Sequence, residues 1–106
     1  MDKLIEICQE LNLVGLFLHG SRATGHARPD SDYDFGFLSI RGADSHVIEN
    51  VLLPALAETF GCDERDVDLQ NLRLAPPHFG VRVLHYGKLL YCGDKTELAR
   101  FHTASV

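Results

Sequence analysis

The sequence predicts an α/β (α+β) fold, a small mixed β-sheet flanked by helices. Two observations carry this reading. Helix-period and strand-period stretches alternate along the chain, the pattern of a sheet layered with helices. A length of 106 residues provides for one hydrophobic core and not two, so 1–106 is expected to be a single domain.

The elements follow in order. Residues 2–12 set Leu4, Ile5, Cys8 and Leu11 on one stripe at helical spacing, with Asp2 as the expected cap and Asn12 as the stop. Residues 13–18 are an unbroken apolar run too short for a helix, expected as a strand buried on both faces. Residues 21–25 begin a short helix, and 26–30 form a loop broken by Pro29. A second strand is expected over 33–40, where Tyr33, Phe35 and Phe37 alternate with Asp34, Gly36 and Leu38. Asp44 or Ser45 caps a long helix that Gly61 ends. Its expected apolar stripe is Val47, Ile48, Val51, Leu52, Ala55, Leu56 and Phe60, with Pro54 expected to kink or divide it. Residues 62–66 are a polar connection, and the alternation over 67–72 predicts a third strand with Asp68 on its polar face. Ala75-Pro76-Pro77 starts a helix that turns Phe79, Val83 and Leu84 inward and stops at Gly87. Residues 88–91 are a short edge strand, and 94–106 a final helix capped by Asp94 and carrying Leu98, Phe101 and Val106.

Composition narrows the classes of function. A hydrophobic content of 45% with 24% charged residues is that of a soluble globular domain. The net charge of −5 argues against a non-specific nucleic-acid binder, though a nucleotide would arrive with its own metal ions. No apolar run approaches the ~18 residues of a membrane span, and no basic-then-apolar leader opens the chain. Cys8, Cys62 and Cys92 are odd in number and widely spaced, which points to free thiols in the cytoplasm. None forms a Cys-x-x-Cys pair and no histidine stands at zinc-finger spacing, so a structural zinc is not expected.

The chemistry concentrates between residues 19 and 34. The first expected strand delivers the chain to His19-Gly20-Ser21-Arg22-Ala23-Thr24-Gly25. Gly20 lets the backbone turn tightly and approach a ligand, and the Ser21 hydroxyl with neighbouring amides can face an anion. A short loop later, Asp32-Tyr33-Asp34 places two carboxylates at i and i+2, one face of a strand. Like charges so close repel unless a cation lies between them. A phosphate grip beside a paired-carboxylate metal site is the equipment of phosphoryl or nucleotidyl transfer. Each piece alone also has a plain structural use: Gly-Ser opens many helices, and aspartates at a strand end are commonly only solvated. Together they favour a site. Arg22 is expected either at the phosphates or paired with a local carboxylate. His19 and Tyr33 are expected to pack, and His78, His85 and His102 to lie on surfaces.

These residues resemble a known family. Gly20-Ser21-Arg22-Ala23-x-Gly25, then Ser31-Asp32-x-Asp34, then Asp68 in Val-Asp-Leu, are similar to the nucleotidyltransferase superfamily related to DNA polymerase beta. Leu72, Ala75-Pro76-Pro77, Val83-Leu84 and Gly87-Lys88-Leu89-Leu90-Tyr91 resemble its minimal nucleotidyltransferases (MNT), the antitoxin partners of HEPN-domain toxins. The resemblance covers roughly residues 1–102. It implies a polymerase beta-like fold, with nucleotide binding by Gly20 and Ser21; Arg22, inside the same motif, is a candidate for nucleotide binding beside them. It implies that Asp32, Asp34 and Asp68 are catalytic and hold two Mg2+ ions, Asp68 also helping to activate the attacking hydroxyl. It implies transfer of AMP from ATP to a hydroxyl, expected to be a tyrosine of a HEPN toxin, which neutralises the toxin.

Two other functions compete with that expectation. One is an antitoxin that blocks its toxin by contact alone. The other is a nucleotidyltransferase acting on a small molecule such as an aminoglycoside. Enzymes of the latter kind need an added domain for the acceptor, and at this length the acceptor side is expected to be open. Self-association or a HEPN partner would complete it.

Overall fold

The computed structural model describes residues 1–105, so the expectation for Val106 lies outside the described residues. In chain order the elements are α1 (Asp2–Glu10), β1 (Gly15–His19), α2 (Ser21–Thr24), β2 (Tyr33–Leu38), α3 (Ser45–Phe60), β3 (Val67–Asn71), α4 (Pro77–Tyr86), β4 (Lys88–Cys92) and α5 (Lys95–Ser105), with a 3-10 turn at Glu64–Asp66 before β3. The four strands form one mixed sheet in the order β3-β2-β1-β4. β1 runs antiparallel to both its neighbours, and β2 runs parallel to β3.

Strand alternation gives the sheet two apolar faces, and each has its own helices. Leu16, Leu18, Phe35 and Phe37 pack with Leu4 and Cys8 of α1 and with Ile48, Leu52 and Leu56 of α3. Phe17, Leu38 and Leu72 pack on the opposite face with Val83 of α4, bordered by Phe79, Leu98 and Phe101. The centre of β1 is therefore covered on both sides, as its unbroken apolar sequence requires. Gly36 keeps β2 flat beneath Leu72, whose Cδ2 would lie 2.8 Å from a Cβ at that position.

Several local expectations are corrected. Asp2 does not cap α1; Met1 holds the cap position and Asp2 lies in the first turn. Asn12 does end the helix, in the left-handed region at φ 53°. α3 is capped by the Asp44 carboxylate, which accepts from the amides of His46 and Val47. Pro54 leaves α3 undivided: its ring is exposed, and the helix continues past it although the Asn50 carbonyl one turn earlier loses the amide that would have donated to it. The buried stripe of α3 is also narrower than expected: Ile48, Leu52, Leu56 and Ala57 face the core, whereas Val47 and Val51 are 54% and 41% exposed. One helix face can touch one sheet, and the apolar residues beyond that arc have nothing to cover them.

Arg73 fastens the end of the sheet remote from the Gly-Ser turn. Its Nε donates to the Ser39 carbonyl at 2.6 Å and its Nη2 reaches Glu97 of α5 at 3.4 Å.

Candidate active site

Register across three strands builds the site. His19 of β1 stands opposite Asp34 of β2, and Asp34 stands beside Asp68 of β3. Alternation turns all three toward the face that carries α4 and α5, beyond the apolar part of that face. Parallel neighbours lie about 4.8 Å apart, so the two carboxylates share one neighbourhood. Asp34 is half-buried, whereas Asp68 is exposed. Asp32 lies one residue before β2 and is exposed. Burial pushes the Asp34 carboxyl above the ordinary carboxylate range; the facing His19 opposes this, and the negative charges of Asp68 and Asp32 add to the rise. A carboxylate shifted in this way gains from a nearby cation. Among the described residues, no three acidic, histidine or cysteine groups form a ready-made metal cluster; strand register pairs Asp34 with Asp68, and Asp32 also acts on Asp34 by its charge.

Gly20 touches this row. Its φ of 70° and ψ of −157° belong to a region that side chains avoid, and a Cβ placed there would strike the Oδ2 of Asp34. The turn and the carboxylate therefore occupy adjoining space only because residue 20 is glycine. α2 follows as a single turn with no side-chain cap, closed by Gly25 in the left-handed conformation, and Ser21 is half-buried at its start.

Arg22 has other partners than a phosphate or a carboxylate. Its Nη2 donates to the Ser31 carbonyl at 2.8 Å and to the Pro29 carbonyl at 3.3 Å, and its Nε to the Ser31 carbonyl at 3.3 Å. The guanidinium lies 4.2 Å from the centre of the Tyr33 ring. Tyr33 packs with Phe35 and Phe60 on the α3 side, so Arg22 sits on the face away from Asp34. It fastens the loop that leads into Asp32.

Two concavities flank the row. One, of about 680 Å³, is bounded by His19, Gly20, Thr24, Phe79, Arg82 and Tyr86. The other, of about 660 Å³, wraps the outer edge of β3 beside Gln70, Leu74 and His78. Phe79 borders both and stands edge-on to His19 with ring centres 5.5 Å apart. His19 packs, as its place in the sequence predicts. Yet its Nε2 is buried without a hydrogen-bond partner. Only the strand register exposes that; a histidine before a glycine carries no such signal. His78 and His85 are exposed, as expected.

A mixed sheet that presents adjoining aspartates against a glycine-serine turn defines a nucleotidyltransferase. The sequence matches the family model for polymerase beta nucleotidyltransferases over residues 2–96, and the chain belongs to that family. No curated protein matches the sequence. Solved structures do. A toxin–antitoxin crystal structure with AMP-PNP aligns at a TM-score of 0.73 and 26% identity, covering 98% of this chain and 82% of that one. The MntA–HepT toxin–antitoxin structure aligns at 0.65 and 24%, covering 98% and 79%. A Shewanella oneidensis structure, a tri-AMPylated HEPN toxin in complex with its MNT antitoxin, aligns at 0.66 and 24%, covering 98% and 78%.

Proposed function

We propose that this nucleotidyltransferase is an MNT antitoxin that transfers AMP from ATP to a hydroxyl of a cognate HEPN toxin, most simply a tyrosine, and so neutralises it. The observation that carries the proposal is the placement of Asp34 between Asp68 and Gly20. In this reading Gly20 and Ser21 hold the triphosphate with its α-phosphorus before the carboxylates. The acceptor oxygen attacks that phosphorus, the bond from the α-phosphorus to the bridging oxygen breaks, and pyrophosphate leaves. Asp68, at the open edge of the sheet, takes the hydroxyl proton, which a phenol of pKa near 10 holds too tightly to lose unaided at neutral pH. Arg22 acts by holding the 29–32 loop, and hence Asp32, in place. Asp32, Asp34 and Asp68 would hold Mg2+, and the crowding of charge at Asp34 fits a site that binds cations. When bound, two such ions neutralise the entering and leaving oxygens.

The likeness to toxin–antitoxin structures, one with a bound ATP analogue, supports both nucleotide and partner. Among the described residues no helix is long and apolar enough to cross a membrane, and a supply of ATP fits work in the cytoplasm. The test is incubation with a cognate HEPN toxin, ATP and Mg2+, followed by intact mass measurement. A gain of whole AMP units, absent with Asp34→Ala and Asp68→Ala, is expected. An unchanged partner mass would refute transfer. Neutralisation that survives both substitutions would mean that contact alone suffices.

A further inference from the structure

The cavity on the β1 side of the row holds a cation that the motif residues do not account for. Arg82 of α4 lines it together with Gly20 and Thr24. Four other guanidinium groups that make ion pairs or carbonyl contacts are spoken for: Arg22 holds loop carbonyls, Arg65 pairs with Asp63, and Arg73 and Arg100 both pair with Glu97. Arg82 is exposed, and none of the side-chain hydrogen bonds and ion pairs among the described residues involves its guanidinium. The same cavity is bounded by His19, whose Nε2 is buried and unpartnered. A buried polar atom without a partner is costly, and the residue that carries it lines this cavity.

We propose that this cavity receives the β- and γ-phosphates of the nucleotide and that Arg82 binds them and the departing pyrophosphate. The inference rests on the nucleotidyltransferase reading and fixes where its leaving group goes. The α-phosphorus must sit before Asp34 and Asp68, and the remaining phosphates then run past Gly20, which borders the cavity. The acidic row repels them there, and the chain as a whole is negative at −5. A guanidinium on the opposite wall supplies the missing attraction, and its planar fork suits phosphate oxygens. Charge on the pyrophosphate grows as the bond to the α-phosphorus breaks, so the contact with Arg82 strengthens toward the transition state.

The experiment is calorimetric titration of the intact protein with ATP, inorganic tripolyphosphate and AMP in Mg2+, comparing the parent with Arg82→Gln and Arg82→Lys. Arg82→Gln is expected to weaken ATP and tripolyphosphate by about tenfold, as loss of a charge-assisted contact does, with AMP unchanged. Arg82→Lys is expected to recover part of the loss. An exposed residue should leave the melting temperature unaltered, so folding does not confound the result. Equal affinity of Arg82→Gln and parent for tripolyphosphate would overturn the proposal. So would an equal loss for AMP, which would put the nucleoside in the cavity instead. A parent that binds neither ATP nor tripolyphosphate would overturn this inference together with the proposed function, whereas binding without AMP transfer would overturn the proposed function alone.

Discussion

Gly20 lies in contact with the carboxylate of Asp34, in a backbone conformation that no other residue adopts without strain. The first prediction follows from that contact. Gly20→Ala must either expel Asp34 from its place or deform the turn. Strain at a left-handed position costs about 1–3 kcal/mol, so the variant should melt lower while remaining folded. AMP transfer should fall by more than that stability loss explains, on the order of a hundredfold, since a misplacement of 1 Å at reacting groups has that effect. Parallel calorimetry and transfer assays check it; full activity in Gly20→Ala would remove the turn from the site.

Asp34 carries a second prediction. Its folded-state pKa is raised, chiefly by burial. Between the ordinary carboxylate value and the raised one, the folded state binds more protons than the unfolded state, so stability falls as pH rises through that window. Above the window the whole cost is present. Asp34→Asn should therefore raise the melting temperature at pH 7 in the absence of metal. Solvent screening keeps this gain small for a half-buried group, so the rise in melting temperature should be modest. At a pH below the carboxylate range the advantage should vanish. Mg2+ should stabilise the parent and not the variant. Thermal melts at both pH values, with and without Mg2+, decide this, and an Asp34→Asn variant that melts lower than the parent at pH 7 would contradict it.

Much of this was legible because local signals and tertiary packing agree. Alternation in Tyr33-Asp34-Phe35-Gly36-Phe37-Leu38 reports two different faces, and the structure covers one with α3 and opens the other at Asp34. Left-handed Asn12 and Gly61 stop helices where a stop was expected. What eluded the sequence depends on register between strands distant in the chain. Nothing local says that His19, Asp34 and Asp68 form one row, nor that Arg82 shares a cavity with Gly20. Arg22 was misleading for the opposite reason: it sits inside the motif, but α2 turns its side chain toward Tyr33 and the loop carbonyls. The narrow buried arc of α3 was hidden because apolar residues at helical spacing do not reveal how wide a surface awaits them.

The cysteines give a third prediction. Cys8 is fully buried between α1 and the sheet, and burial pushes its thiol up to about 11. Cys62 is raised as well, first by burial and then by Asp66, but it is only half-buried. Thiolate is the reactive form. With iodoacetamide at pH 8, Cys8 should label only at the rate of global unfolding, while Cys62 and Cys92 label faster. Peptide mapping over time measures this directly, and rapid alkylation of Cys8 in folded protein would show that α1 does not close over it.

Arg22 separates two readings of the same motif. As a phosphate ligand, it would tolerate lysine in part, and its loss would appear mainly as a raised KM for ATP. As the fastener of the 29–32 loop, it acts through two carbonyl acceptors and the face of Tyr33, a planar arrangement that lysine cannot reproduce. Arg22→Ala and Arg22→Lys should then behave alike. Both should lower kcat with KM for ATP little changed, because Asp32 loses its fixed position while Gly20 and Ser21 do not. Both should lose about 1–2 kcal/mol of stability with the hydrogen bonds and the ring contact. The loop itself should become the first site of limited proteolysis, between residues 26 and 31. Steady-state kinetics together with a proteolysis time course test all of this, and a lysine variant with parental kcat and a raised KM would restore Arg22 to the phosphates.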